Sequence, residues 1–227
     1  MNAVVTKVQK VMYYSLDKKV DGEVSDVNTA YDNIADAIAA FERSPELNPF
    51  TSKYDYYLKG QATLTAQELS GLNLFNDTAK AKCGNCHLTT PDETSGKILF
   101  TDFTYNSDGV PKNTFNPFYS ISSAFNLLGA NYIDYGMGAI INDHDHDGEF
   151  RVPTLRNIAL TAPYFHNGVF GTLEEVVHFY NTRDVPGSGF AAPEVLANVD
   201  TIETGNLGLT AQEEADIVAF MKTLTDG

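Results

Sequence analysis

The two cysteines of this 227-residue chain stand three positions apart and run straight into a histidine, Cys83-Gly84-Asn85-Cys86-His87. No other feature constrains the chain as tightly, and four chemistries compete for it. A disulfide framework needs more pairs, because closing one two-residue loop removes little chain entropy. A zinc site needs four ligands, so His144, His146, His166 or His178 would have to complete it. A thioredoxin-like redox pair belongs at a strand-to-helix turn in a βαβ unit, and no such pattern surrounds these residues. A c-type haem uses all three side chains: the two thiols add to vinyl groups and the imidazole takes the proximal iron position.

The flanks favour the haem reading. Thr65-Ala66-Gln67-Glu68 is a capping box that opens a helix, with Leu69, Leu72 and Phe75 along one face, ending near Asn76 and Asp77. A second box, Thr210-Ala211-Gln212-Glu213, opens a closing helix that carries Ile217, Val218, Met221 and Leu224. Class-I c-type cytochromes are built this way, with one helix before the haem motif and a C-terminal helix packed against it. The phrase Leu-Thr-Ala-Gln-Glu occurs twice, yet nothing around it repeats. Residues 26–43 pattern as a helix, with Val27, Ala30, Tyr31, Ile34, Ile38 and Phe41 on one face and Ser44-Pro45 as the stop. From Thr89 to about Gly138 the chain is irregular and rich in Gly, Asn, Ser and Tyr, and a second loop runs from Asp184 to about Leu207. Loops of that length are expected to wrap a cofactor.

Charge narrows the partners. Fifteen Lys and Arg stand against thirty Asp and Glu, a formal net charge of −15. Such a field repels a nucleic-acid backbone, so a cation or a basic protein is the expected partner. No window supplies the run of about 20 apolar residues that a membrane span needs. Residues 1–20 lack a cationic start followed by an apolar stretch. Haem attachment follows export, so the numbering is expected to start after any leader, in a periplasmic or extracellular protein.

The string Phe150-Arg151-Val152-Pro153-Thr154-Leu155-Arg156-Asn157-Ile158-Ala159-Leu160-Thr161-Ala162-Pro163-Tyr164-Phe165-His166-Asn167-Gly168 closely resembles the signature of bacterial di-haem cytochrome c peroxidases and MauG-like proteins. The segments 37–43, 56–60 and 172–181 fit the same family in the same order. The resemblance runs from about residue 28 to the end, over the family's second, electron-transferring haem domain and a short piece of the first. It implies a mainly α fold: a class-I cytochrome c-like haem domain with long loops over residues 61–227. A helical segment over residues 1–60 would be the remnant of the first domain. Family members usually carry two haem motifs, whereas this chain has one and no tryptophan. The peroxidatic haem, its catalytic glutamate and the tryptophan between the haems would belong upstream, on a missing or separate haem-bearing chain or in a homodimer.

The resemblance also assigns residues. The family's sixth iron ligand comes from the helix after the His-Asn-Gly turn, and Tyr180 matches that position, 17 residues after Pro163. A core tyrosine with a hydrogen-bonded hydroxyl is the structural alternative, and Met137, His178 or water are competing ligands. His166 is expected near the haem pocket, or else as a buried residue fixing the turn into Gly168. Arg156 is a candidate partner of a haem propionate, or else a structural arginine. Backbone carbonyls of Thr161 and Pro163 map to the family's Ca²⁺ site. Separately, Asp143, Asp145 and Asp147 alternate as in a calcium loop, with Gly148 at the sixth position but Thr154 where a glutamate is expected.

The expected function is therefore that of an oxidoreductase with one covalent haem c, held by Cys83, Cys86 and His87 and passing single electrons. Its redox partner would carry a basic docking face, as a cytochrome c or cupredoxin can. Two other readings stand beside it: a peroxidase or MauG-like oxidase whose second haem lies elsewhere, and a metal-binding scaffold without haem.

Overall fold

The structure is a computed structural model that describes residues 27–227. The reading of residues 1–20 lies outside them. The chain divides after Phe50. Helix α1, Val27–Glu42, belongs to the first unit. Its period is helical as expected, but Tyr31, Ile38 and Phe41 of the apolar stripe are exposed.

Residues 51–227 form the second unit. Its boundary differs from the expected 60/61, because α2, Lys53–Leu58, is built into this unit's core. Ser52 caps α2 in a full capping box with Asp55. Tyr54 is buried and packs edge-on against Phe220 at 5.4 Å. The Asp55 carboxylate receives the Arg156 guanidinium on both oxygens, at 2.6 and 3.0 Å.

Two helices frame the core. Helix α3, Ala66–Phe75, starts at the Thr65/Glu68 box and stops at Asn76. The C-terminal helix, Ala211–Lys222 (α6 in chain order), starts at the Thr210/Glu213 box. They cross at Gly71, where a Cβ would lie 1.9 Å from the Asp216 carbonyl oxygen. Only a glycine permits that approach of backbones. At the crossing, Phe75, Phe100 and Phe220 are fully buried and meet at tilted or edge-on angles with centroids 5.2–6.3 Å apart.

Between α3 and α6 the chain is mostly irregular, as expected. A two-residue antiparallel ladder pairs β1, Tyr105–Asn106, with β2, Phe150–Arg151. Helix α4, Met137–Ile141, and helix α5, Leu173–Thr182, interrupt the loops. The Thr172/Glu175 capping box opens α5. Phe179 is fully buried beneath Phe165, Phe170 and Phe190, a second aromatic cluster. The regular structure of the described residues is thus mainly helical, with little sheet.

Candidate functional site

The cysteine–histidine motif folds as one tight turn. Lys82 enters it with a left-handed backbone, Cys83–Asn85 make a single 3₁₀ turn, and the His87 amide donates back to the Cys83 carbonyl at 2.9 Å. The turn presents Cys83, Cys86 and His87 to one cavity of about 490 Å³, within the range that holds cofactors. Phe75, Val152, Leu155, Val177, Ile217 and Met221 give the cavity apolar walls.

The His87 ring is oriented by the backbone. Its Nδ1 lies 2.9 Å from the Phe100 carbonyl oxygen, so Nδ1 carries the proton and donates there. That bond sets the tautomer, as an outer carbonyl does for a ligating imidazole, and the Pro153 backbone carbonyl also hydrogen-bonds the ring. Burial lowers the ring's pKa and keeps it neutral, as a ligand must be.

The thiols argue against a redox pair. Burial pushes Cys83 up to about 12. Burial, reinforced by Asp102, Glu203, Asp108 and Asp200, pushes Cys86 up to about 11. Reactive cysteines need lowered values instead. Zinc fares no better. Among the described residues no three His, Cys, Asp or Glu side chains converge as a metal-ligand group. His144, His146 and His178 are bound instead to Asp147, Glu149 and Glu214.

Helix α5 brings Tyr180 to the cavity, where its hydroxyl donates to Asp108 Oδ2 at 3.1 Å. Burial, with Asp108 beside it, holds the phenol well above its ordinary value. Asp108 is itself pushed by burial to about 6, despite the Tyr180 hydrogen bond and Arg183. Met137 does not reach the site. It starts α4 with its amide on the Glu149 carbonyl, and the methionine on the cavity wall is Met221. His166 does reach it, stacked on Phe150 at 3.6 Å with rings 6° apart. Burial lowers its pKa, against Asp134.

Two expectations are corrected. Arg156 does not line the cavity; its guanidinium is committed to Asp55 and to the Ile98 carbonyl at 2.9 Å. The cationic residues on the cavity wall are Lys82 and Arg151. Among the described residues the Asp143–Asp147 segment gathers no metal-ligand group, and two of its three carboxylates serve the turn. Asp143 accepts the Asp145 amide, and Asp147 accepts from His144 Nδ1 at 2.9 Å. Thr161 and Pro163 do border the cavity. Asp108 and Glu194, also on its wall, went unread because loop acids carry no periodic signal.

No family model matches the chain. Over 218 residues it is 34% identical to methylamine utilization protein MauG of Paracoccus denitrificans (strain Pd 1222), covering 90% of this chain and 54% of that protein. It is 32% identical over 202 residues to cytochrome-c peroxidase IdrP1 of Pseudomonas sp. (strain SCT), covering 83% and 48%. The chain belongs to the MauG and di-haem cytochrome c peroxidase family. The diheme peroxidase BthA from Burkholderia thailandensis E264 superposes with a TM-score of 0.78 at 29% identity, over 99% of this chain and 59% of that one. The fold is that of the diheme peroxidases. The family is one of haem c oxidoreductases, and this chain spans about half the length of the curated relatives it matches. No described helix is long and apolar enough to cross a membrane.

Proposed function

We propose that residues 61–227 form a class-I cytochrome c-like domain that holds one covalent haem c and passes single electrons. Cys83 and Cys86 are the attachment points, His87 Nε2 the proximal ligand and Tyr180 Oη the distal one. The observation that carries this reading is the His87–Phe100 hydrogen bond. It orients the ring in a cavity that both thiols and the phenol also line, which supports the reading. Haem iron supplies a one-electron couple, and an anionic phenolate ligand favours its ferric form and lowers its potential.

The chain's own residues do the rest. The apolar wall excludes water and holds a flat aromatic cofactor by contact. Asp108 Oδ2 orients the Tyr180 hydroxyl and is the acceptor for its proton. Lys82 and Arg151 supply positive charge to anionic cofactor groups.

The upstream haem of the longer relatives, on another chain or segment, would be the electron's other site. Asp102, Asp200 and Glu203 lie close enough to Cys86 to act on its charge, which supports docking of a basic redox protein. The protein would act in the periplasm or outside the cell.

Tyr180→Phe tests the ligand assignment. The variant is expected to lose a phenolate-to-iron charge-transfer band and to change ferric spin state. A ferric spectrum that overlays the parent's would place the ligand elsewhere.

A further inference from the structure

Arg183 caps the end of α5, about one turn beyond Tyr180, with its side chain 3% exposed. Each of the five N–H donors of its guanidinium meets an oxygen. Nε and Nη2 donate to the Asp184 carboxylate at 2.9 and 2.7 Å. Nη1 donates to the Asp108 carbonyl at 2.6 Å and to Thr204 Oγ1 at 3.1 Å. The second Nη2 hydrogen goes to the Asp200 carbonyl at 2.6 Å. One side chain thus joins the end of α5 to loops 75 positions before it and 17 after it.

Both loops reach the haem cavity, which Arg183 itself does not line. The later loop also touches the haem motif, where Asn85 Nδ2 donates to Glu203 Oε2 at 2.8 Å. At Gly205, with φ +96°, a Cβ would lie 2.0 Å from Asp184 Oδ2 and 2.6 Å from Arg183 Nη2. A glycine is required for that approach, and its amide donates to the Tyr180 carbonyl at 2.6 Å. Asp108 lies beyond β1 in irregular chain, where no helix or ladder holds its carbonyl; Arg183 does. Its carboxylate accepts from Tyr180 Oη at 3.1 Å and from Asn106 Nδ2 at 3.3 Å. Bonds of that length do not survive a shift of about 1 Å.

We propose that Arg183 is the positioning residue of the Tyr180 site. Its grip on the Asp108 carbonyl sets the carboxylate against the Tyr180 hydroxyl, and its grip on Asp200 and Thr204 fixes the loop that binds the Tyr180 carbonyl. This rests on the reading of Tyr180 as the iron ligand. Geometry rather than charge carries the role. A lysine keeps the charge, but its single nitrogen cannot span Asp184, Asp108 and Asp200 as a planar fork does.

The test compares haem-loaded parent, Arg183→Lys and Arg156→Ala, matched for haem content by pyridine haemochrome assay. A parent without a phenolate-to-iron charge-transfer band overturns the Tyr180 reading, and this proposal with it. Where the parent shows the band, Arg183→Lys is expected to lose most of it and to change ferric spin state. Its reduction potential should shift upward, because a phenolate ligand favours ferric iron. The parent's band and potential in Arg183→Lys would overturn the proposal and leave the ligand reading standing. Arg156→Ala breaks another buried arginine pair, one held away from the cavity, and should keep the band. An equal loss there would refute a specific positioning role. Should Arg183→Lys not retain haem, Asp184→Asn decides. That side chain is 37% exposed and off the cavity wall, and the change replaces one acceptor of the fork with a donor. A weaker band and a smaller upward shift of potential support the proposal, and a spectrum that overlays the parent's refutes it.

Discussion

The unit formed by residues 51–227 has two unlike sides. On one, α3 and α6 cross at Gly71 over fully buried Phe75, Phe100 and Phe220, and capping boxes fix both helix starts. On the other, the loop around residues 113–136 and helix α4 after it leave Phe115, Phe125, Leu127 and Ile140 in solvent. The first side holds the unit together. The loops contribute polar chemistry, since Asp108 and Glu194 reach the cavity from irregular chain. Stability and function are thus unevenly shared, and a substitution's cost depends on which side it falls.

The largest effect is expected at Phe220, fully buried at the crossing. Phe220→Ala should destabilise the protein by about 3–5 kcal/mol, read by urea unfolding of the haem-loaded chain. A loss below about 1 kcal/mol would mean that the crossing is not the core.

Arg156→Ala comes next and sharpens the comparison, because it separates a structural cation from a cofactor contact. Leaving Asp55 buried without its partner should cost about 3 kcal/mol or more. Burial pushes the Asp55 carboxyl up, but the Arg156 and Ser52 hydrogen bonds outweigh it and hold it below the ordinary range. A lowered folded-state value stabilises above the unfolded pKa of about 4 and is lost as pH falls through the folded one. The parent should therefore weaken more than Arg156→Ala when both are acidified below about pH 4. Equal acid sensitivity in the two would contradict the pair. A haem spectrum altered by Arg156→Ala while stability holds would instead restore the propionate role.

The smallest effect is expected on the loop side. Phe115 is 93% exposed, so Phe115→Ser should move stability by no more than about 0.5 kcal/mol. A larger loss in thermal unfolding would show that the exposed aromatics are packed in solution.

Local chemistry made the first side readable. Two boxes, beginning at Thr65 and Thr210, announce α3 and α6 within a residue, because a cap is a short-range hydrogen-bond pattern. Ser52–Asp55 is the same device with Asp at its third position, opening a helix of only six residues. That is too short for periodicity to register. The stripe of α1 was legible as a period but not as burial, which depends on what packs against it. The haem motif was likewise local, and Tyr180 came through the family resemblance. The Phe100 carbonyl that holds His87, the Asp55 that claims Arg156 from 101 positions away, and the burial of Glu194 are all products of tertiary folding. No pattern along the chain marks them.

The covalent haem itself is tested most directly by mass. The chain, produced where c-type haem is attached and then fully denatured, should weigh one haem more than its polypeptide. That added mass should survive acid–acetone extraction and vanish when Cys83 and Cys86 are both changed to Ala. A bare polypeptide mass under the same conditions, or haem that extracts freely, would contradict a c-type centre at Cys83, Cys86 and His87.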